Sequence, residues 1–119
     1  MVQTIQLTSR LQSRLAITSE QLAEFCQRRH INELALFGSI LRDDFHADSD
    51  IDILVTFQPD TKISLLDLVD MQYELEDLCH RKVDLLTKKS VEDSPNWIRR
   101  KEILNTARVV YESRSNLPA

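Results

Sequence analysis

The chain has 119 residues, in which 15 Lys and Arg stand against 19 Asp and Glu, so its net charge is -4 with histidine neutral. This length predicts one domain with one hydrophobic core, and the acidic balance argues against direct nucleic-acid binding by counterion release. The sequence contains no membrane-length apolar run, no signal peptide and no CxxC pair, so we expect a cytoplasmic protein without a membrane span, a disulfide framework or a zinc site.

The first elements are read from polarity and capping signals. Residues 1–16 are polar and weakly patterned, and we interpret them as an N-terminal arm or short irregular element. Thr18 and Gln21 have capping-box spacing and predict a helix over residues 19–30. The predicted organisation is an arm (1–16), a domain (17–112) and a C-terminal tail (113–119).

Periodicity defines the later elements. Ser64 and Asp67 form a second capping-box pattern, followed by apolar residues at helical spacing as far as His80, which predicts the longest helix. We predict further elements as strands over 33–37, 50–57, 82–86 and 109–111 and a helix over 95–105. This alternation indicates an α/β (α+β) domain with a small mixed sheet and packed helices.

One short segment carries the chemistry. The only glycine, Gly38, is followed by Ser39, then by ten residues and by Asp50-Ile51-Asp52. Ser39 is the expected N-cap of one or two helical turns, and a helix start beside a glycine can bind phosphate. Side chains two apart on a strand share a face, so Asp50 and Asp52 converge, and their repulsion favours a divalent cation. Carboxylate oxygen ligands indicate Mg²⁺ or Mn²⁺. A phosphate-binding turn, a carboxylate pair and a cation between them together suit a displacement reaction at a nucleotide phosphate.

Simpler roles exist for the same residues. Gly38 and Ser39 would serve in an ordinary turn and cap, and Asp50 and Asp52 would be tolerated on a solvent-facing edge strand. Their combination at this spacing favours the phosphate and metal interpretation. The basic residues between 88 and 101 are typical of a solvated face, and Trp97 and Tyr111 are interpreted as core or interface anchors.

The segment resembles the DNA polymerase β-like nucleotidyltransferases and, within them, the minimal nucleotidyltransferase (MNT) antitoxins, whose mark is Gly-Ser, about ten residues and Asp-x-Asp. The resemblance implies a polymerase β-like palm, in which Gly38 and Ser39 hold the triphosphate and Asp50 and Asp52 bind Mg²⁺. It implies a third carboxylate on a later strand, for which Asp84 is the candidate, as metal ligand or as base for the acceptor hydroxyl.

The resemblance also implies a phosphate contact or a loop-bracing role for Arg42, although family members often carry Ala-Arg-Gly where this chain has Leu41-Arg42-Asp43. MNT antitoxins pair with HEPT-domain toxins and silence them by adenylylating a tyrosine. The expected function is therefore transfer of AMP from ATP to a hydroxyl of such a toxin, in a heteromeric complex. Two alternatives stay open: an antitoxin that neutralises its toxin by binding alone, and a nucleotidyltransferase for a small molecule.

Overall fold

The computed structural model describes residues 2–114, with side chains described for residues 4–113. Its strands are β1 (Val2–Ile5), β2 (Ile31–Phe37), β3 (Ile51–Phe57), β4 (Val83–Thr87) and β5 (Arg108–Arg114). Its helices are α1 (Ser9–Leu15), α2 (Ser19–Arg28), α3 (Leu65–Cys79), α4 (Lys88–Glu92) and α5 (Trp97–Thr106), with a 3-10 helix at Gly38–Leu41. The sheet order is β1-β5-β2-β3-β4, and only the β3–β4 pair is parallel. The predicted mixed α/β architecture is confirmed.

Each face of the sheet has its own core. The larger cluster contains Ile51, Ile53 and Val55 of β3 and packs them against α1, α2 and α3. The smaller cluster joins Leu54 to side chains of β2, α4 and α5. Because successive side chains of a strand point to opposite faces, Asp52 shares the face of Leu54 and lies on the side covered by α4 and α5.

The N-terminal segment corrects one expectation. Instead of an irregular element, residues 2–15 form a strand and a helix: β1 pairs antiparallel with β5, and α1 buries Leu11 and Leu15. Two leucines four residues apart in a seven-residue helix are too short a pattern to stand out among polar neighbours. Of the predicted tail, Ser113 is buried within β5, and residues 115–119 lie outside the described part of the chain.

The two capping boxes are confirmed. Thr18 and Gln21 exchange hydrogen bonds of 3.1 and 2.8 Å at the start of α2, and Ser64 and Asp67 exchange bonds of 3.1 and 2.9 Å at the start of α3.

A parallel strand pair needs a long crossover, and α3 provides it between β3 and β4. In the described residues, no helix is both long and apolar enough for a transmembrane span.

Two aromatic predictions have different outcomes. Tyr111 is completely buried in the larger core, as expected. Trp97 is 60% exposed at the start of α5, so it is not a core residue, and its role as an interface anchor stays a prediction. Helix α4 was not predicted; it follows directly after β4, and the Thr87 side chain caps it by accepting a hydrogen bond from the Ser90 N–H group. Its five residues are too few for a periodic signal.

Candidate active site

Gly38 occupies a position that no other residue can fill without disturbing the site. Strand β2 ends at Phe37, and Gly38 follows with φ +76°. A Cβ atom at this position would lie 2.1 Å from Oδ2 of Asp52, which is well inside van der Waals contact. The glycine therefore permits both the left-handed backbone and the close approach of a carboxylate.

The sheet register brings two carboxylates together. Asp52 is opposite Phe37 in the antiparallel β2–β3 pair and in register with Asp84 in the parallel β3–β4 pair. Neighbouring strands are about 4.8 Å apart, so Asp52 and Asp84 stand side by side on one face. Asp50 is exposed and directly precedes β3. Two candidate carboxylates thus lie on neighbouring strands, with Asp52 beside Gly38, and the third precedes β3.

Asp52 lies in an unfavourable electrostatic environment. Burial raises the pKa of its carboxyl above the usual value, and the negative charges of Asp84 and Asp50 raise this pKa further. The positive charges of Arg99 and Arg42 act in the opposite direction. A cation bound among these carboxylates would relieve the repulsion.

The carboxylates of the site are oxygen ligands of the type that a magnesium ion accepts. In the described part of the chain, no three His, Cys, Asp or Glu side chains form a group that could hold a metal ion. Mg²⁺, however, is commonly held by one or two carboxylates and completes its shell with water and substrate phosphates. The Asp52–Asp84 pair, with Asp50 close by, offers ligands of that kind.

Ser39 does not have the predicted capping role. Helical geometry begins at Gly38, the N-cap is Phe37, and no side chain caps this 3-10 helix. Because the glycine opens the helix, Ser39 lies inside its single turn, where its carbonyl oxygen accepts a 2.9 Å hydrogen bond from the Arg42 N–H group. Ile40 is buried and anchors the turn to the larger core.

A cavity of about 420 Å³ opens beside this turn and is lined by β2, the turn and α5. Its lining residues are Phe37, Gly38, Leu41, Arg42, Arg99, Glu102, Ile103 and Thr106. Arg42 lines this cavity, and its Nε donates a 3.1 Å hydrogen bond to Asp44; its phosphate contact stays a prediction. Arg99 was not predicted as a site residue, because sequence alone does not show which face of α5 meets the sheet.

Two further arginines hold the loop that joins the turn to β3. Arg14 donates hydrogen bonds to the carbonyl oxygens of Ile40 at 2.8 Å and Arg42 at 2.6 Å. Arg81 donates to three loop carbonyls, those of His46, Ala47 and Ser49, at 2.8 to 3.1 Å. Both guanidinium groups also lie over the Phe45 ring, 4.9 and 4.4 Å from its centroid. No motif signalled these residues, which position the loop between Gly38 and Asp50.

A family model for the nucleotidyltransferase domain matches residues 19–110. The chain belongs to the nucleotidyltransferase domain family. The matched span contains the Gly38 turn, all three candidate aspartates and the cavity. The predicted family membership is therefore confirmed.

Similar proteins carry related names. The protein adenylyltransferase MntA of Thermococcus cleftensis is 36% identical over 76 residues, which cover 64% of this chain and 75% of MntA. Three candidate protein adenylyltransferases of Methanocaldococcus jannaschii are 40–44% identical over 51–57% of this chain. These alignments span 63–67% of the length of the three relatives, so the chain matches about two thirds of each.

Solved structures share the fold. A candidate minimal nucleotidyltransferase is 28% identical, with a TM-score of 0.60 over 82% of this chain and 90% of its own. A chain from the complex of tri-AMPylated Shewanella oneidensis HEPN toxin with MNT antitoxin is 15% identical, with a TM-score of 0.58 over 87% of this chain and 73% of its own. The nucleotidyltransferase palm implied by the sequence motif is confirmed.

Proposed function

We propose that this nucleotidyltransferase is an antitoxin that transfers AMP from ATP to a hydroxyl, that of a tyrosine, on a HEPT-type (HEPN) toxin and thereby inactivates it. The observation that carries this proposal is the contact of the Gly38 turn with Asp52, which has Asp84 in register beside it. Two similarities support it: MntA is a protein adenylyltransferase, and the HEPN toxin in the complex of shared fold is AMPylated.

In this proposal the phosphates of ATP occupy the cavity beside Gly38. The glycine lets the backbone of the turn approach the phosphate oxygens closely, and Ser39 and Arg42 supply further contacts from the same turn. Arg42 lines the cavity and carries a positive charge close enough to affect Asp52. The positive charge of Arg42 therefore complements the negative charge of the phosphates in this cavity.

Asp50, Asp52 and Asp84 would hold Mg²⁺ next to the turn, since Asp52 lies directly beside Gly38. The bound ion would supply positive charge that offsets the charge of the triphosphate and of the carboxylates. This assignment is consistent with the raised pKa of Asp52, since a carboxylate that burial and like charges disfavour is one that a cation stabilises.

The reaction then depends mainly on position and charge. The acceptor oxygen attacks the α-phosphorus of ATP and forms a new P–O bond, the bond from the α-phosphorus to the β-bridging oxygen breaks, and pyrophosphate leaves. The acceptor proton passes to the carboxylate of Asp84, which is exposed to an incoming partner.

The test is to incubate the purified chain with its HEPT-type toxin, ATP and Mg²⁺ and to measure the intact mass of the toxin. We expect the toxin to gain one or more AMP groups with wild type and none with the double variant Asp50→Asn, Asp52→Asn. Asp70→Asn is the matched control, because Asp70 is an exposed acid on α3, on the opposite side of the sheet. Absence of any mass gain with wild type would refute the proposal.

The same variants separate chemistry from simple binding. We expect the toxin to inhibit growth when it is expressed alone, and wild-type antitoxin to restore growth. If the double aspartate variant also restores growth fully, neutralisation needs no transfer and the binding-only alternative is correct. If growth stays inhibited although the variant still co-purifies with the toxin, the transfer reaction is required.

A further inference from the structure

Helix α5 forms the second wall of the nucleotide cavity. Ile103 packs against Phe37 and Leu54 in the smaller core, which fixes α5 over the face of the sheet that carries Asp52. One turn earlier, Arg99 lines the 420 Å³ cavity together with Gly38 and Arg42. An arginine from a distant part of the chain thus faces the Gly38 turn across the cavity.

The Arg99 guanidinium group makes no hydrogen bond or ion pair among the described residues, although its positive charge acts on Asp52. Its neighbour Arg100 donates a 2.7 Å hydrogen bond to the Ser94 carbonyl, and Arg42 donates to Asp44. No hydrogen bond or ion pair of the Arg99 side chain occurs within residues 4–113, even though Glu102 lines the same cavity three residues later. Its five donors are therefore available to a ligand.

Arg99 also borders a second, smaller cavity. This space of about 110 Å³ lies between α4 and α5 and is lined by Leu86 as well as by Arg99 and Ile103. Leu86 is two residues after Asp84 on β4, so it points to the same face of the sheet. Arg99 thus borders both cavities on the face of the sheet that carries Asp52 and Asp84.

We propose that Arg99 is a phosphate-binding residue of the nucleotide site, contacting ATP from the wall opposite the Gly38 turn. This inference rests on the proposed nucleotidyl transfer, because it assigns the ligand of the same cavity. A guanidinium group offers planar, paired N–H donors that match phosphate oxygens and remains charged at every physiological pH. Arg42 already donates one of its N–H groups to Asp44, whereas the donors of Arg99 make no hydrogen bond among the described residues, so Arg99 adds a second guanidinium group for phosphate.

The test measures nucleotide binding rather than turnover. Isothermal titration with ATP and Mg²⁺ should show that Arg99→Ala weakens binding at least about tenfold, the usual scale for losing a charge-assisted hydrogen bond. Adenosine lacks phosphate, so its affinity for wild type and for Arg99→Ala should be equal. Arg99→Lys should recover part of the affinity, because it restores the charge without the paired donors.

Lys101→Ala is the matched control, since it removes the same charge from an exposed position on the same helix. If Arg99→Ala binds ATP as tightly as wild type, or no more weakly than Lys101→Ala, the inference is wrong while the proposed function stands. If Arg99→Ala weakens adenosine and ATP equally, its role is structural and the inference is also wrong. If wild type itself does not bind ATP, the proposed function fails as well.

Discussion

Replacing Asp52 by asparagine should make the protein more stable and inactive. Asp52 and Asp84 are in register on neighbouring strands, so their charges lie roughly 5 Å apart. Asp84 is exposed, and at a water-like dielectric such a pair repels by about 1 kcal/mol. Asp52→Asn keeps the shape of the side chain and removes this repulsion. For a domain of this size, a gain of about 1 kcal/mol raises Tm by roughly 4 °C.

The stability difference should depend on pH. Burial and the neighbouring acids raise the pKa of Asp52 in the folded state. The ionised carboxylate of Asp52 therefore lowers the stability of the folded state fully at neutral pH. This destabilisation disappears as the pH falls through the folded-state pKa toward the pKa of the unfolded chain. We expect the Tm difference between Asp52→Asn and wild type to be largest near pH 7 and to shrink in acid. High salt should also reduce it by screening.

Thermal unfolding without metal or nucleotide, measured at several pH values, checks this reasoning. Asp70→Asn removes one exposed negative charge on α3 and should change stability by less than about 0.5 kcal/mol. ATP with Mg²⁺ should raise the Tm of wild type, because a ligand of the folded state stabilises it, but not that of Asp52→Asn. A Tm of Asp52→Asn at or below that of wild type at pH 7 would refute the electrostatic argument.

Three further substitutions test other contacts. Gly38→Ala places a Cβ atom 2.1 Å from Asp52 Oδ2 at φ +76°, so the rate of toxin AMPylation should fall more than about 100-fold. Arg28 and Arg29 lower the pKa of Glu74. Glu74→Gln should therefore lower the free energy of unfolding, measured with denaturant at pH 7, by about 1 kcal/mol. This loss should become smaller as the pH falls through the lowered pKa of Glu74. Arg81→Ala removes the hydrogen bonds to three loop carbonyls and should lower Tm, with a loss of about 1–2 kcal/mol.

A specific result would contradict each of these three predictions. If Gly38→Ala transfers AMP at the wild-type rate, the reaction does not depend on the observed position of Asp52. A cost of Glu74→Gln that stays constant down to acid pH would show that the carboxylate charge is not the stabilising feature. An unchanged Tm in Arg81→Ala would show that the loop is held without it; Lys82→Ala, an exposed neighbour, is the control.

Local signals predicted the parts of the fold that depend on local contacts. The Thr18 and Ser64 capping boxes each satisfy their own backbone groups within four residues, so their helices could be predicted from sequence. Ser39 failed as a cap for a local reason as well, because Gly38 already begins the helical turn. Strand β1 could not be predicted, since its four residues are stabilised by pairing with β5 at the far end of the chain.

The candidate site divides in the same way. The pattern of Gly38, Ser39, Asp50 and Asp52 lies within one continuous segment, so the sequence alone was enough to predict the family. The phosphate-binding role of the turn and the metal-binding role of the aspartates stay predictions, and only the sheet register placed Asp84 beside Asp52. The position of Arg99 in the cavity wall, and the bracing of the loop by Arg14 and Arg81, were decided only by the tertiary structure. These side chains reach the site from elements distant in sequence, and their approach depends on strand register and helix packing, which no local pattern encodes.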